Sequence, residues 1–227
     1  MRHVLLDIEG TTTAISFVYD VLFPYAAKRL PTFIAERWSD AAVATACQAV
    51  LADATAAERT LPDVQAVIAV IQRQMAGDIK ATGLKALQGL VWREGYESGQ
   101  VQGHVYADVP AQFTAWKSAG RHVAIYSSGS VLAQQLLFRH SVAGDLTPLL
   151  IGHYDTAIGP KREAASYLAI AQKWGLAPQD IVFGTDQPAE AAAAVAAGMH
   201  AVVLMRPGNP ALPANLPFEV HADFNSI

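Results

Sequence analysis

Hydrophobic positions along this chain fall into two regimes. From about residue 103 onward, short apolar runs alternate with stretches of helical spacing, the pattern of βαβ units in a parallel sheet. The runs at 122–126, 149–151, 181–183 and 201–204 predict four strands, and residues 4–6 predict a fifth that joins the same sheet. Helix punctuation fits this spacing: Asp108 and Pro110 open one helix, Gly175 follows another at Trp174, and Gly198 follows an alanine-rich helix ending near Ala197. Residues from about 15 to 102 carry long helical periodicity, alanine-rich segments such as 40–57, and no strand pattern. The expected organisation is an α/β core of residues 1–16 and 103–227, interrupted after its first strand by an all-helical insertion, 17–102. Such an insertion would sit as a cap above the strand ends, where it can close over substrate and exclude water.

Composition narrows the function classes. The chain has 227 residues, 52% of them hydrophobic, enough to bury a core and too apolar for disorder. A net charge of -4 with only 16 scattered lysines and arginines argues against a nucleic-acid partner and for a small-molecule substrate. Cys47 is the single cysteine, which excludes an intramolecular disulfide framework or a thiolate metal cluster and fits a reducing compartment. Asp7 and Glu9 interrupt any signal-peptide core at the N-terminus. The apolar stretch 191–205 is too short to cross a membrane and contains Gly198 and His200. A cytoplasmic, monomeric protein without nucleic-acid or membrane partners is expected.

Candidate chemistry sits where strands end. The first strand delivers Asp7 and Glu9 into Gly10-Thr11-Thr12-Thr13. Strand ends in α/β proteins are where ligands bind, and an aspartate on rigid backbone there can attack phosphorus or hold a cation. The second strand is followed by Ser127-Ser128-Gly129-Ser130, hydroxyls and N–H groups at a predicted helix N-terminus that favours an anion. Lys161, in Gly159-Pro160-Lys161-Arg162-Glu163, stands where the next helix begins, a place that calls for an anionic companion. After residues 181–183 comes Gly184-Thr185-Asp186-Gln187-Pro188, with Glu190 four residues beyond Asp186. Taken singly, the serines and Asp186 also read as helix caps and Lys161 as a solvated surface residue. Taken in order, they supply a nucleophile, charge neutralisation and proton delivery, the parts that phosphate-ester hydrolysis needs.

The same residues carry a resemblance. The chain resembles the haloacid dehalogenase-like phosphatases, and within them the acireductone synthase family, the bifunctional enolase-phosphatases of methionine salvage. The matching stretches are Asp7-Ile8-Glu9-Gly10-Thr11-Thr12-Thr13, Ile15-Ser16-Phe17-Val18 with Leu22-Phe23-Pro24-Tyr25, Leu87-Gln88-Gly89 with Trp92 and Gly95-Tyr96, Gly103-His104-Val105-Tyr106-Ala107-Asp108-Val109, Ile125-Tyr126-Ser127-Ser128-Gly129-Ser130 and Arg206-Pro207-Gly208-Asn209. The resemblance implies a doubly wound, Rossmann-like parallel-sheet core with a helical cap. It also implies one Mg²⁺ per subunit and a phosphorylated diketone, 2,3-diketo-5-methylthiopentyl-1-phosphate, as substrate. By the family pattern Asp7 is the nucleophile and a metal ligand, and Glu9 is the acid/base and a member of the metal set. Ser127 and Ser128 hold the phosphate, Lys161 neutralises it as a catalytic and substrate-binding residue, and Asp186 completes the metal site. Thr185 replaces the serine more common in the family, and an added metal role for Glu190 stays open.

Overall fold

The computed structural model describes residues 2–79 and 81–227, which form two compact units, Met1–Val18 with Gln102–Ile227, and Tyr19–Val101. The first unit is built on a six-stranded sheet, every pairing of which is parallel. Its strands are β1 (His3–Leu6), β2 (Val123–Tyr126), β3 (Gly152–Tyr154), β4 (Ile181–Thr185), β5 (His200–Leu204) and β6 (Glu219–His221), in the spatial order β3-β2-β1-β4-β5-β6. This is the doubly wound order. From β1 the chain builds outward through β2 and β3, then returns to lay β4 on the other side of β1, so that the switch point lies between β1 and β4.

Both faces of the sheet are buried, as parallel strands require. Leu5, Ala124, Tyr126, Ile181 and Phe183 enter one cluster with Tyr167 and Ile170 of α7 (Ala164–Trp174) and Ala193 and Ala194 of α8 (Pro188–Ala196). Alternation along the strands turns Val4, Leu6, Val123 and Ile125 the other way, and these are equally buried. A separate aromatic group joins Phe113 and Trp116 of α5 (Val109–Ser118), Phe138 of α6 (Val131–Arg139) and Phe224. Gly184 pairs with Leu6 across the switch point, and a methyl group there would stand 2.9 Å from a Leu6 methyl, so glycine lets the two central strands meet around a leucine.

Two expectations for the sheet change. The apolar run 149–151 is not a strand: Thr147–Leu149, opened by Pro148, form a single 3₁₀ turn, and the pairing residues are the half-buried Gly152–Tyr154. An edge strand has one unpaired side and need not be apolar, so the hydrophobic run points three residues too early. The sixth strand, Glu219–His221, is mostly exposed and carries no apolar signal.

The second unit holds α1 (Phe23–Glu36), α2 (Ala41–Ala52), α3 (Asp63–Ala76) and α4 (Thr82–Glu97). Small residues set its spacing: a Cβ on Gly83 would lie 2.6 Å from the Val50 backbone nitrogen, and one on Gly95 2.7 Å from the Tyr25 ring. Trp92 donates its indole N–H to the Leu22 carbonyl at 2.9 Å, and Arg29 meets Glu94 at 2.7 Å. Cys47 is buried on α2, and burial pushes its thiol up to about 11, away from reactivity. No helix among the described residues is long and apolar enough to cross a membrane.

Candidate active site

Asp7 is the first residue beyond β1, and its N–H continues the sheet by donating to the Gly184 carbonyl at 2.9 Å. The chain then turns tightly: the N–H groups of Thr11, Thr12 and Thr13 all fall on the Ile8 carbonyl, and Gly10 adopts φ +68°. Glycine is demanded twice at this point, by the left-handed backbone and by the approach of Asp186, whose Oδ2 would stand 2.7 Å from a Cβ at residue 10. The loops after the two central strands are therefore packed against each other, backbone to carboxylate.

Lys161 reaches this junction from the loop before α7. Three bonds hold that loop: Tyr126 donates to the Gly159 carbonyl at 2.8 Å, Ser166 to the Pro160 carbonyl at 2.7 Å, and Tyr167 to the Lys161 carbonyl at 2.7 Å. The lysine Nζ lies 2.6 Å from Asp7 Oδ1 and 2.6 Å from Glu190 Oε2, and is only 9% exposed. It is not a solvated surface lysine. Glu190, in the first turn of α8, also accepts from the Thr185 hydroxyl at 2.9 Å. Asp186 is not the cap of α8, a position taken by Gln187, whose side-chain amide donates to Asp186 Oδ2 at 2.7 Å.

Burial and like charge dominate the electrostatics. Asp7, Asp186 and Glu190 are 5%, 6% and 8% exposed, with one buried ammonium among them. Asp186 is pushed up to about 6, first by burial and then by the Asp7 carboxylate. Glu190 is raised by burial and Asp7, against the pull of Lys161. Burial pushes Lys161 down, but the carboxylates of Asp7 and Glu190 outweigh it and hold its ammonium above the ordinary value.

The serines separate into different duties. Ser130 is the cap of α6, its Oγ accepting from the Ala133 N–H at 3.3 Å, so the helix start does not need Ser127. Ser127 is buried directly after β2 and its Oγ accepts from the Gly129 N–H at 3.3 Å. Ser128 is half-buried beside it. Glu9 is half-buried in the loop after Asp7 and bridges to Thr13. Among the described residues, no group of three or more His, Cys, Asp or Glu side chains is already arranged to hold a metal ion. The Asp7 carboxylate acts directly on Asp186. Three buried carboxylates against one ammonium leave an excess of negative charge on hard oxygen donors, a donor set that suits a divalent cation such as Mg²⁺.

Sequence reasoning left the brace beneath this site unassigned. Arg206, 4% exposed, makes a two-pronged pair with Asp108 at 2.9 Å on each prong and donates to the Thr11 carbonyl at 2.9 Å. Its guanidinium lies between the rings of Tyr106 and Phe224, 4.6 and 4.5 Å from their centres. Asn209 donates to the Gly10 and Leu204 carbonyls at 2.9 and 3.2 Å. His104 Nδ1 accepts from the Ala14 N–H at 3.1 Å and meets the Thr13 hydroxyl at 3.0 Å. The signal for this brace was that Arg206-Pro207-Gly208-Asn209 follows the one predicted strand to which no chemical role had been attached.

The chain is similar to known proteins along its length. The family described as haloacid dehalogenase-like hydrolase matches residues 1–198. A Drosophila persimilis protein named Enolase-phosphatase E1 is 47% identical over 237 aligned residues, covering 100% of this chain and 94% of its own. Its namesake from Drosophila melanogaster is 45% identical, covering 100% and 92%. Among solved structures, the UTR4 protein of Saccharomyces cerevisiae superposes with a TM-score of 0.84 at 34% identity, covering 99% of both chains. A dehalogenase at 20% identity and a TM-score of 0.55 shares the fold alone. With matching sequence along its whole length and a doubly wound sheet that brings Asp7, Lys161 and Asp186 to its switch point, the chain belongs to the haloacid dehalogenase-like hydrolases and is an enzyme of that family.

Proposed function

We propose that this enzyme is an enolase-phosphatase of methionine salvage, converting 2,3-diketo-5-methylthiopentyl-1-phosphate to 1,2-dihydroxy-3-keto-5-methylthiopentene and phosphate. The name of its relatives, matched over the whole of this chain and over 94% and 92% of their own, supports the reading. The single observation that carries the chemistry is the contact of Lys161 with Asp7 beside β1, a buried carboxylate and a buried cation where a phosphoryl group can meet both.

In this reading a base takes a proton from the carbon bearing the phosphate and a proton is returned to the adjacent carbonyl oxygen, so the diketone becomes its enol tautomer. A carboxylate oxygen of Asp7 then attacks phosphorus, the bond from phosphorus to the ester oxygen breaks, and Glu9 gives a proton to that oxygen as it leaves. Water gives a proton to the Glu9 carboxylate and attacks the aspartyl phosphate, the bond from phosphorus to the Asp7 oxygen breaks, and the Asp7 carboxylate and inorganic phosphate are released. Ser127 and Ser128 hold the phosphoryl oxygens ahead of α6, and Lys161 balances their charge without having to move. Asp7 and Asp186 would hold Mg²⁺, which when bound neutralises phosphate charge and polarises oxygen. Glu190 keeps Lys161 extended toward Asp7 and protonated.

The test is phosphate release from the diketo methylthiopentyl phosphate with and without Mg²⁺, with enediol absorbance followed in the same cuvette. Metal-dependent release accompanied by the enediol signal is the expected result. Phosphate release from unrelated esters without any enediol from the diketone would overturn the substrate while leaving a phosphatase.

A further inference from the structure

Asn209 ties together the ends of two neighbouring segments, and one of its atoms is left over. Its Nδ2 donates to the carbonyls of Gly10 and Leu204 at 2.9 and 3.2 Å. Turning the amide over would set an oxygen against two carbonyl oxygens, so the pair of acceptors fixes which way the amide faces. The Oδ1 atom is thereby directed away from both carbonyls, and it is buried without any hydrogen bond inside the chain. A buried acceptor of this kind is normally met by a donor.

Its surroundings indicate which donor. The position a Cβ of Gly10 would occupy lies 3.0 Å from Asn209 Oδ1 and 2.7 Å from Asp186 Oδ2. The two oxygens border the same small space beside Gly10, with no side chain at residue 10 to fill it. Cations rich in bound water, such as Mg²⁺, are held by few carboxylates and present waters to surrounding acceptors.

We propose that Asn209 is a positioning residue of the metal site. Its Oδ1 accepts a hydrogen bond from a water carried by the divalent cation that Asp186 holds, while its Nδ2 fixes the Gly10 carbonyl and so the separation of the Asp7 loop from Asp186. This rests on the metal reading above. Outer partners of this kind typically account for a 10- to 100-fold effect on metal affinity.

The test is a calorimetric titration of Mg²⁺, repeated with Mn²⁺ followed by electron paramagnetic resonance, on the full chain, with melting temperatures measured in parallel. Asn209→Ala should weaken both ions by about 10- to 100-fold. Asn209→Asp keeps an oxygen at the Oδ1 position but sets its other oxygen against the Gly10 and Leu204 carbonyls, so its affinity should fall, by less than that of Asn209→Ala. Tyr106→Phe removes the 3.3 Å bond from the Tyr106 hydroxyl to the Pro207 carbonyl in the same loop and should leave affinity unchanged. Parent-like affinity in Asn209→Ala, or equal losses in all three variants, would overturn the proposal and leave the metal site standing. A parent chain that binds neither ion would overturn both.

Discussion

Around Lys161, three carboxylates share one ammonium inside the protein, and each depends on it differently. Replacing it by methionine keeps the volume and removes the charge, leaving Asp7 and Glu190 buried without their cation. Breaking a buried pair from one side costs about 3–5 kcal/mol, and the carboxylates reduce that cost at low pH by taking protons. Lys161→Met should therefore lose more stability at pH 8 than at pH 5 in urea titrations; an equal loss at both would mean the lysine supports packing and not charge. Asp186 gives a second pH signature. Its native value of about 6 stands above the ordinary 3.8 of an aspartate, so the native state binds the proton more tightly. The favourable contribution is present below the unfolded value and is lost as pH rises through about 6, amounting to roughly 2–3 kcal/mol by neutral pH. Metal-free Asp186→Asn, which carries no charge, should lack this loss and be the more stable protein at pH 7, by thermal melts across pH 4 to 8.

At this scale the sequence was legible where a residue's chemistry and its place after a strand coincided, as for Asp7, Lys161 and Asp186. Glu190 was harder. Its spacing from Asp186 suggested a shared helix face, but Asp186 precedes the helix and Glu190 turns instead to Lys161, a contact between positions 29 apart in the chain that no local pattern records.

Among elements, the buried strands were read from their apolar runs because a strand covered on both faces must be apolar throughout. The edges were not, since β3 and β6 take their residues from pairing on one side and solvent on the other. Close approaches between elements were also hidden until the backbone was in place. Gly103 is an example: a Cβ there would collide with the Leu137 carbonyl at the end of α6, backbone against backbone, where neither can yield cheaply. Gly103→Ala should cost about 1–3 kcal/mol in denaturant unfolding, the range for overpacking, although residue 103 touches no proposed site residue. Wild-type stability in that variant would show that α6 can slide away from the segment.

For the whole molecule, a ligand that binds only the native state raises stability by mass action. Mg²⁺ at a hundred times its dissociation constant should add about 2.7 kcal/mol, and for a chain of this size each kcal/mol moves the midpoint by about 2–4 °C. Calorimetric scans at pH 7.5 should show an upward shift with Mg²⁺ that Asp186→Asn abolishes. The sheet order that creates the switch point was legible in outline, because apolar runs separated by helices admit few topologies and favour right-handed crossovers. The register was not, since it depends on which rows of side chains interlock.

That register has a consequence for how the chain is made. β1 occupies the middle of the sheet, yet its partners lie far along the sequence: Val4 pairs with Val123 on one side and Val182 on the other. At about 5–20 residues per second, a ribosome needs several seconds to tens of seconds to supply them. Throughout that interval the strand that leads into Asp7 is an apolar ribbon with both edges open. Birth of this enzyme thus includes a waiting period, in which an unpaired apolar strand must be kept from foreign edges whatever the final stability of the fold.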